Sequence, residues 1–122
     1  MDDFTTAYIK CSLWASNDES TPEGGKPMDE TYTPEHISPE ALVVMETDCK
    51  KFQAENAEDI CKAKGGKDLA LAGHLFWLNR NGHGCGFWDG GWEEEAGERL
   101  SKASEAFGEC NLYVSDGLIY SF

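Results

Sequence analysis

Positive charge is scarce in this chain. It contains 10 Lys and Arg against 23 Asp and Glu, and its formal net charge at pH 7 is −13. Direct binding to DNA or RNA depends on cationic contacts with phosphates, so a chain of this composition is not expected to bind nucleic acid itself. A fold does not require such an imbalance, because repulsion between like charges destabilises the compact state.

Long apolar runs and paired-cysteine motifs are also missing. The apolar stretches are short and interrupted, and the sequence opens with Met1-Asp2-Asp3 rather than with a basic segment and an apolar run. We therefore expect neither an export signal nor a membrane span. The five cysteines are odd in number, widely spaced and without a Cys-x-x-Cys pair. They predict reduced thiols that pack as small apolar side chains in a cytoplasmic protein.

The acidic residues are concentrated in one part of the sequence. Between Asn17 and Asp59 there are 12 acids and three bases, which leaves a local net charge of −9. Such a segment is typical of a solvated face, or of a surface that imitates phosphates and attracts a protein with a basic nucleic-acid-binding surface. On the second interpretation the partner-binding carboxylates are Asp18, Glu19, Glu23, Asp29, Glu30, Glu35, Glu46, Asp48, Glu55, Glu58 and Asp59.

Local signals in the first half predict a strand, a loop and a helix. Alternation of apolar residues over 5–14 predicts a strand, and a composition of Asp, Glu, Ser, Thr, Pro and Gly predicts a long acidic loop at about 15–38. Ser38-Pro39-Glu40 combines an N-cap hydroxyl, a proline at the first helical position and an acid in the first turn, which predicts the start of a helix. Its apolar stripe, at helical spacing, consists of Leu42, Met45, Cys49, Phe52 and Ile60.

The last third of the chain is predicted to form a helix and a hairpin. An apolar stripe predicts a helix over 93–107, and apolar runs at 112–114 and 118–120 flank Ser115-Asp116-Gly117, which is a compact turn signal. Residues 1–122 are therefore expected to form one domain of the α+β class. Its sheet would be mainly antiparallel, with two helices packed on one face.

A segment rich in glycine and polar residues extends from His74 to Asp89. Apolar runs at 75–78 and 85–88 flank Asn81-Gly82, a pair that favours a tight turn between two strands. The pattern predicts a hairpin. The same segment contains histidine, arginine, cysteine and aspartate, so it also holds the residues most suited to chemistry.

Three interpretations of this segment remain open. As an enzyme site, His83 would act as general acid or base, Arg80 would stabilise developing negative charge, and Asp89 would orient the imidazole. As a metal site, the ligands would be His74, His83, Cys85 and Asp89, which are donors that suit zinc or iron. As a structural element, the Asn-Gly pair makes the turn, the aromatic residues build the core and Arg80 pairs with an acid.

Several short motifs resemble those of one family. They are Phe76-Trp77-Leu78, Arg80-Asn81-Gly82-His83-Gly84-x-Gly86-Phe87-Trp88-Asp89, Tyr8-Ile9-x-Cys11-x-Leu13-Trp14, Asn17-Asp18-Glu19-Ser20, Ala106-Phe107-Gly108 and Leu112-Tyr113-Val114. In these motifs, which extend over most of its length, the chain resembles a group of small acidic proteins encoded by bacteriophages and prophages. It departs from that group at Leu75, where an acid is common, and at Cys85, where a small apolar residue is frequent.

The resemblance implies a setting rather than a reaction. It suggests a small acidic protein in the cytoplasm of a bacterial host, which binds and inhibits or modulates a nucleic-acid-processing or defence complex such as a restriction enzyme or a CRISPR effector. No cofactor is expected on this interpretation. The alternative is a small hydrolase, phosphoryl-transfer enzyme or metal-binding protein that uses Arg80, His83 and Asp89.

Overall fold

Helices make up most of the structure. The structure, a computed structural model, describes residues 2–18, 26–63, 69–82, 87 and 91–121. The helices are α1 (Asp3–Ala15), α2 (Pro39–Ile60), α3 (Leu69–Arg80) and α4 (Glu94–Ala106). The strands are β1 (Asn17–Asp18), β2 (Lys26–Pro27), β3 (Leu112–Ser115) and β4 (Leu118–Ser121), and short 3-10 turns span Met28–Glu30 and Pro34–His36. No helix in these ranges combines the length and the apolar character needed to cross a membrane.

The predicted α+β class, with a mainly antiparallel sheet and two helices on one face, is wrong. The strands of the described residues form two separate antiparallel ribbons, β1 with β2 and β3 with β4. The segments 5–14 and 75–78, which were expected to be strands, lie in α1 and α3. The core is therefore built by helices that pack on one another, chiefly α1 on α3 and α4 on both α2 and α3.

Residues 5–14 form most of α1 because helical signals override the alternation. The Asp2 side chain accepts a hydrogen bond from the Thr5 amide at 2.7 Å and caps the helix. Phe4 and Tyr8, four residues apart, are both fully buried on one face of α1. A run in which apolar residues satisfy a period of 2 can also satisfy the helical period, and here packing selects the helix.

The expected hairpin around Asn81-Gly82 is also wrong, because residues 75–78 lie in the middle of α3. Gly82 follows the end of this helix with a φ of 69°, a conformation that glycine adopts without steric cost. Of the other predicted arm, 85–88, the structure describes Phe87, which is buried. Short apolar runs suit either a strand or a buried helix. Because α3 is buried on nearly every side, its apolar run forms a helix rather than a strand. The buried residues of α3 are Ala72, Gly73, Leu75, Phe76, Trp77, Leu78 and Arg80.

The helix start at residue 38, the second helix and the final hairpin are confirmed. The Ser38 hydroxyl accepts a hydrogen bond from the Ala41 amide at 3.2 Å, and α4 occupies 94–106 of the predicted 93–107. Asp116 and Gly117 close the β3–β4 hairpin with φ angles of 51° and 78°. The α2 stripe is buried at Met45, Cys49, Phe52 and Ile60.

The predicted acidic loop at 15–38 contains more regular structure than expected. It begins with the last residue of α1 and includes the β1–β2 ribbon and both 3-10 turns, while residues 19–25 lie outside the described residues. Met28, fully buried at the start of the first turn, and Ile37, buried just after the second, attach this segment to the core. Two buried apolar side chains thus fix a segment whose other residues are mostly polar.

Aromatic rings form the centre of the core. Phe76 of α3 stacks on Phe52 of α2, with ring centroids 4.2 Å apart and planes 17° from parallel. Phe4 of α1 lies 5.9 Å from the Phe76 ring and Phe107 lies 5.1 Å from it at 82°. Edge-to-face and offset contacts of this kind add to the stability that burial alone provides. Phe76 therefore links the two N-terminal helices to the end of α4.

Gly73 allows α1 and α3 to approach closely. A Cβ atom at this position would lie 2.8 Å from the carbonyl carbon of Phe4 and closer still to its oxygen. Both atoms belong to the backbone of α1, so neither can rotate away. The contact between the two helices therefore requires a residue without a side chain.

Candidate functional site

The predicted partner-binding carboxylates that the structure describes lie on the 3-10 turns and on α2. Asp29, Glu30 and Glu35 are exposed on the two 3-10 turns. The backbone of Asp18 is described in β1, whereas its side chain, Glu19 and Glu23 lie outside the described residues. The remaining predicted partner-binding carboxylates, Glu46, Asp48, Glu55, Glu58 and Asp59, all lie on α2.

The acids of α2 do not form one continuous ridge. Asp48 and Glu55, seven residues apart, line the same hollow of about 460 Å³ between α2 and α4. Glu46 lines a different hollow, of about 260 Å³, with Asp2 and Lys50. A partner that contacts Asp48 and Glu55 would therefore approach a different side of α2 from a partner that contacts Glu46.

Three of the predicted partner-binding carboxylates form ion pairs within the protein. Asp48 accepts a hydrogen bond from Arg80 at 2.9 Å, and Asp59 accepts two from Arg99, at 2.8 and 2.9 Å. Lys62 lies 3.6 Å from Asp59 and 4.0 Å from Glu58. Asp48 and Asp59 are partly neutralised by these close contacts, so they offer less negative charge to a partner than Glu58, whose side chain is 90% exposed.

The structure adds acidic residues that the sequence pattern did not single out. The Trp92 indole donates to the Ile60 carbonyl at 3.0 Å, and the Glu93 amide donates to the Lys62 carbonyl at 3.4 Å. These bonds place the start of α4 beside the end of α2. The acidic residues on the two sides of this junction define the α2–α4 acidic surface: Glu58, Asp59, Glu93, Glu94 and Glu95.

Acids in the first turn of α4 also have a local role. Glu94 and Glu95 lie where the helix dipole favours negative charge, which accounts for their position without any partner. Arg99, one turn later, is held among carboxylates. The hydrogen bond to Asp59 and the nearby charges of Asp59, Glu95 and Glu58 raise its pKa above the ordinary value for arginine.

Replacing Asp59 with asparagine is expected to lower the unfolding midpoint slightly at neutral pH. The hydrogen bond from Arg99 holds the pKa of Asp59 below its ordinary value of 3.8. The carboxylate therefore stabilises the fold above that value, and the contribution is lost as the pH falls through the lowered pKa. The difference in midpoint between the wild type and Asp59→Asn should vanish in acid, as measured by thermal unfolding at a series of pH values from about 7 to about 2.

The exposed Glu109→Gln variant serves as the control for this titration. We expect it to differ little from the wild type at any pH, because Glu109 lies outside the helices and forms no ion pair within the described residues. A midpoint difference for Asp59→Asn that is the same at every pH would contradict the assignment of the effect to the Asp59–Arg99 pair.

Arg80 joins four parts of the chain from inside the protein. Its side chain is only 5% exposed. It donates hydrogen bonds to the Tyr8 hydroxyl at 3.0 Å and to Asp48 at 2.9 Å. Two further N–H groups donate to the carbonyls of Gly108 and Phe107, at 2.7 and 3.1 Å. Four of its five donors are thus used internally, and the guanidinium also lies 5.5 Å from the centroid of the Phe107 ring.

The neighbours of Arg80 belong to the same arrangement. Burial raises the pKa of the Tyr8 hydroxyl far above its ordinary value of 10.0, so this group remains neutral. Asn81 accepts a hydrogen bond from the Cys110 amide at 2.9 Å through its side-chain oxygen. Arg80 and Asn81 therefore hold the chain that follows α4 against the end of α3. The ion pair with Asp48 agrees with the structural interpretation of this segment.

The residues of the alternative sites are only partly described. His83, Cys85 and Asp89 lie outside the described residues, and the enzyme and metal interpretations remain predictions at those positions. His74 is half-buried on α3, and burial lowers its pKa below 6.5. Within the described ranges, no three His, Cys, Asp or Glu side chains are grouped in a way that could hold a metal ion.

A shallow, mainly apolar groove of about 620 Å³ lies between α1 and α3. Trp14, at its edge, is 57% exposed and its ring centroid lies 5.7 Å from that of His74. Lys10 and Asp29 also line it. The groove is large enough to hold an apolar side chain, and its polar residues are few.

The α2–α4 acidic surface and the groove beside Trp14 are thus open to a partner. Arg80, by contrast, is enclosed. Comparison with protein-family models, with curated proteins and with solved structures gave no match to this chain.

Proposed function

We propose that this protein acts by binding a basic surface of a nucleic-acid-processing or defence complex in a bacterial host, and that it inhibits or modulates that complex by occupying a site for nucleic-acid phosphates. The observation that carries the proposal is the α2–α4 acidic surface, where two acidic segments that are distant in sequence adjoin through backbone contacts. The resemblance to phage proteins supplies the setting.

The exposed charges of the described residues support this proposal. The exposed carboxylates belong to Asp2, Asp3, Asp29, Glu30, Glu35, Glu40, Glu55, Glu58, Glu93, Glu94, Glu95, Glu98, Glu105, Glu109 and Asp116. The exposed cations are Lys10, Lys26, Lys50, Lys51, Arg99 and Lys102, and the last two form ion pairs with acids. A field of this sign accelerates association with a basic partner and is weakened by salt.

Neutralising part of the α2–α4 acidic surface is expected to reduce capture of such a partner. The test variant is Glu58→Gln, Glu94→Gln and Glu95→Gln, which removes three charges without changing side-chain length. The matched control is Glu40→Gln, Glu105→Gln and Asp116→Asn, which removes the same charge from three separate places. We expect the test variant to bind at least about tenfold more weakly and the control to bind nearly as the wild type does.

The measurement uses the immobilised protein and a bacterial lysate. A partner of the proposed kind is released by rising salt and by added double-stranded DNA, because both compete for its basic surface. Equal retention by the wild type and the test variant, or retention that DNA does not affect, would contradict the proposal. Loss of retention with His83→Ala but not with the test variant would instead favour the alternative site at residues 80–89.

A further inference from the structure

In the described part of the chain, no strand or loop pairs with the outer edge of β3. Asp116 and Gly117 form a two-residue turn, and Ser115 pairs with Leu118 next to it. In such a hairpin the pair beside the turn exchanges both backbone hydrogen bonds, and the following pair directs its N–H and C=O groups away from the hairpin. The following pair here is Val114 with Ile119.

A hydrogen bond on the β4 side confirms this orientation. The Ser38 amide donates to the Ile119 carbonyl at 2.8 Å, and Ile37 forms a parallel bridge with Ile119. The backbone N–H and C=O groups of Ile119 therefore point away from β3. Those of Val114, which is paired with Ile119, point away from β4. By alternation, the backbone groups of Leu112 also face outward. Among the described residues, nothing forms a hydrogen bond with the outward groups of Leu112 and Val114.

Within the described ranges, the edge of β3 lacks the features that usually prevent strand pairing. Such edges are commonly protected by lysine, proline, a bulge or a covering element. From Asn111 to Ser121 the only charged residue is Asp116, and proline is absent. The β3–β4 register is continuous over its four pairs. Within a chain of net charge −13, this hairpin is therefore a nearly uncharged surface.

We propose that β3 pairs with β3 of a second copy of this chain, antiparallel and with the two-fold axis at Tyr113. Leu112 of each copy then lies opposite Val114 of the other. Each of these two pairs exchanges both backbone hydrogen bonds, so the outward groups of both copies are satisfied and a four-stranded sheet forms. The pattern is self-complementary, because the residues that face outward lie symmetrically about Tyr113.

Charge and side chains favour a second copy as the occupant. Two chains of this net charge repel one another at their helical surfaces. The two hairpins can meet along β3, where the only charged side chains are the two Asp116 carboxylates, one at each end of the contact. Tyr113 already stacks on Tyr120, with ring centroids 5.5 Å apart. Across the new pairing the two Tyr113 residues are directly opposite on the same face of the sheet, which places the two tyrosine pairs side by side.

The contact is small, so the dimer forms only at high protein concentration. Four hydrogen bonds and two adjacent tyrosine pairs are far less than a standard protein interface provides. The pairing is independent of the proposed basic partner, because the carboxylates of the helices take no part in it. Failure of either proposal therefore leaves the other unaffected.

Amide hydrogen exchange gives the most direct test, since the hairpin predicts an alternating pattern. In dilute protein the Tyr113 and Ser115 amides, bonded to β4, exchange slowly, and the Leu112 and Val114 amides exchange fast. Between about 10 µM and about 1 mM we expect exchange at Leu112 and Val114 to slow at least about tenfold. Exchange at these two amides that does not change with concentration would overturn the proposal.

A backbone variant provides the second test. Val114→Pro removes the outward N–H and keeps every β3–β4 hydrogen bond, since proline is tolerated on an edge strand. Its matched control, Val114→Thr, is close in shape and keeps the N–H. By sedimentation in about 0.5 M NaCl, we expect the wild type and Val114→Thr to rise from 13.5 kDa toward twice that mass, while Val114→Pro remains at 13.5 kDa.

A side-chain variant covers the case in which Val114→Pro fails to fold. Tyr113→Lys places two ammonium groups opposite one another at the two-fold axis, whereas Ser115→Lys adds the same charge to the same face away from the axis. We expect Tyr113→Lys to weaken the dimer at least about tenfold more than Ser115→Lys does. Equal effects of the two variants, or a wild-type mass of 13.5 kDa at every concentration, would overturn the proposal.

Discussion

Arg80→Met should lower the free energy of unfolding by about 3 kcal/mol, the lower end of the range found when one partner of a buried ion pair is removed, because the Asp48 side chain is 25% exposed. Methionine replaces the apolar stem of arginine but none of its donors. The Asp48 carboxylate, the Tyr8 hydroxyl and the two carbonyls that follow α4 then lose their hydrogen bonds. Buried acceptors without partners carry the full cost of desolvation.

Denaturant unfolding of matched variants can test this expectation. Arg99→Met removes an arginine that also makes two bonds to an aspartate but is 51% exposed, and we expect only a small change there. Arg80→Lys keeps the charge but cannot bridge several acceptors at once, so it should lie between the wild type and Arg80→Met. Similar midpoints for Arg80→Met and Arg99→Met would contradict the role assigned to Arg80.

Gly73→Ala should destabilise the protein by about 3 kcal/mol or more, at the upper end of the cost of overpacking a core. In an isolated helix the same substitution would stabilise by about 1 kcal/mol, because alanine has the higher helix propensity. The sign reverses here because the new methyl group would overlap the backbone of Phe4. The helices α1 and α3 would have to separate, and the aromatic contacts between Phe4 and Phe76 would be lost.

Ala70→Gly, at an exposed position of the same helix, is the control for propensity. We expect it to cost about 1 kcal/mol, the difference between the two residues in a helix. Gly73→Ala should thus be more damaging than Ala70→Gly, although helix propensity alone predicts the opposite order. Thermal or denaturant unfolding measures both, and a Gly73→Ala variant as stable as the wild type would contradict the close approach of α1 and α3.

Local features of the fold could be predicted from the sequence. The start of α2 depends on Ser38 and Pro39, which act on amides within one turn of themselves. The final hairpin depends on Asp116 and Gly117, whose positive φ angles suit a tight turn between short apolar runs. In both cases the interacting groups are neighbours in the chain, so the sequence contains the whole interaction.

The first and third helices could not be predicted in the same way. The alternation over 5–14 and the short apolar run at 75–78 are compatible with a strand and with a buried helix. The choice depends on Tyr8 and Phe76, whose rings pack against each other at 5.2 Å although 68 positions of sequence separate them. Asp2, whose side chain caps α1, was the one local signal that could have indicated a helix there.

In the candidate site, too, the sequence predicted what depends on composition but not what depends on contacts between distant residues. The excess of acid in segment 17–59 was evident from composition, but composition could not show that Asp48 and Asp59 are paired internally. Nor could it show that the acids at the start of α4 join those of α2, because the contact depends on the bond from Trp92 to Ile60. The partners of Arg80 lie 72 and 32 residues away in sequence, at Tyr8 and Asp48.

By itself, therefore, the sequence determined the net charge, the helix start at Ser38 and the last hairpin, because each depends on composition or on residues close in the chain. The tertiary structure decided whether ambiguous segments became helices, which carboxylates remained open to a partner and that Arg80 is enclosed. These properties arise from contacts between distant residues, and their energies become available only when the helices pack together.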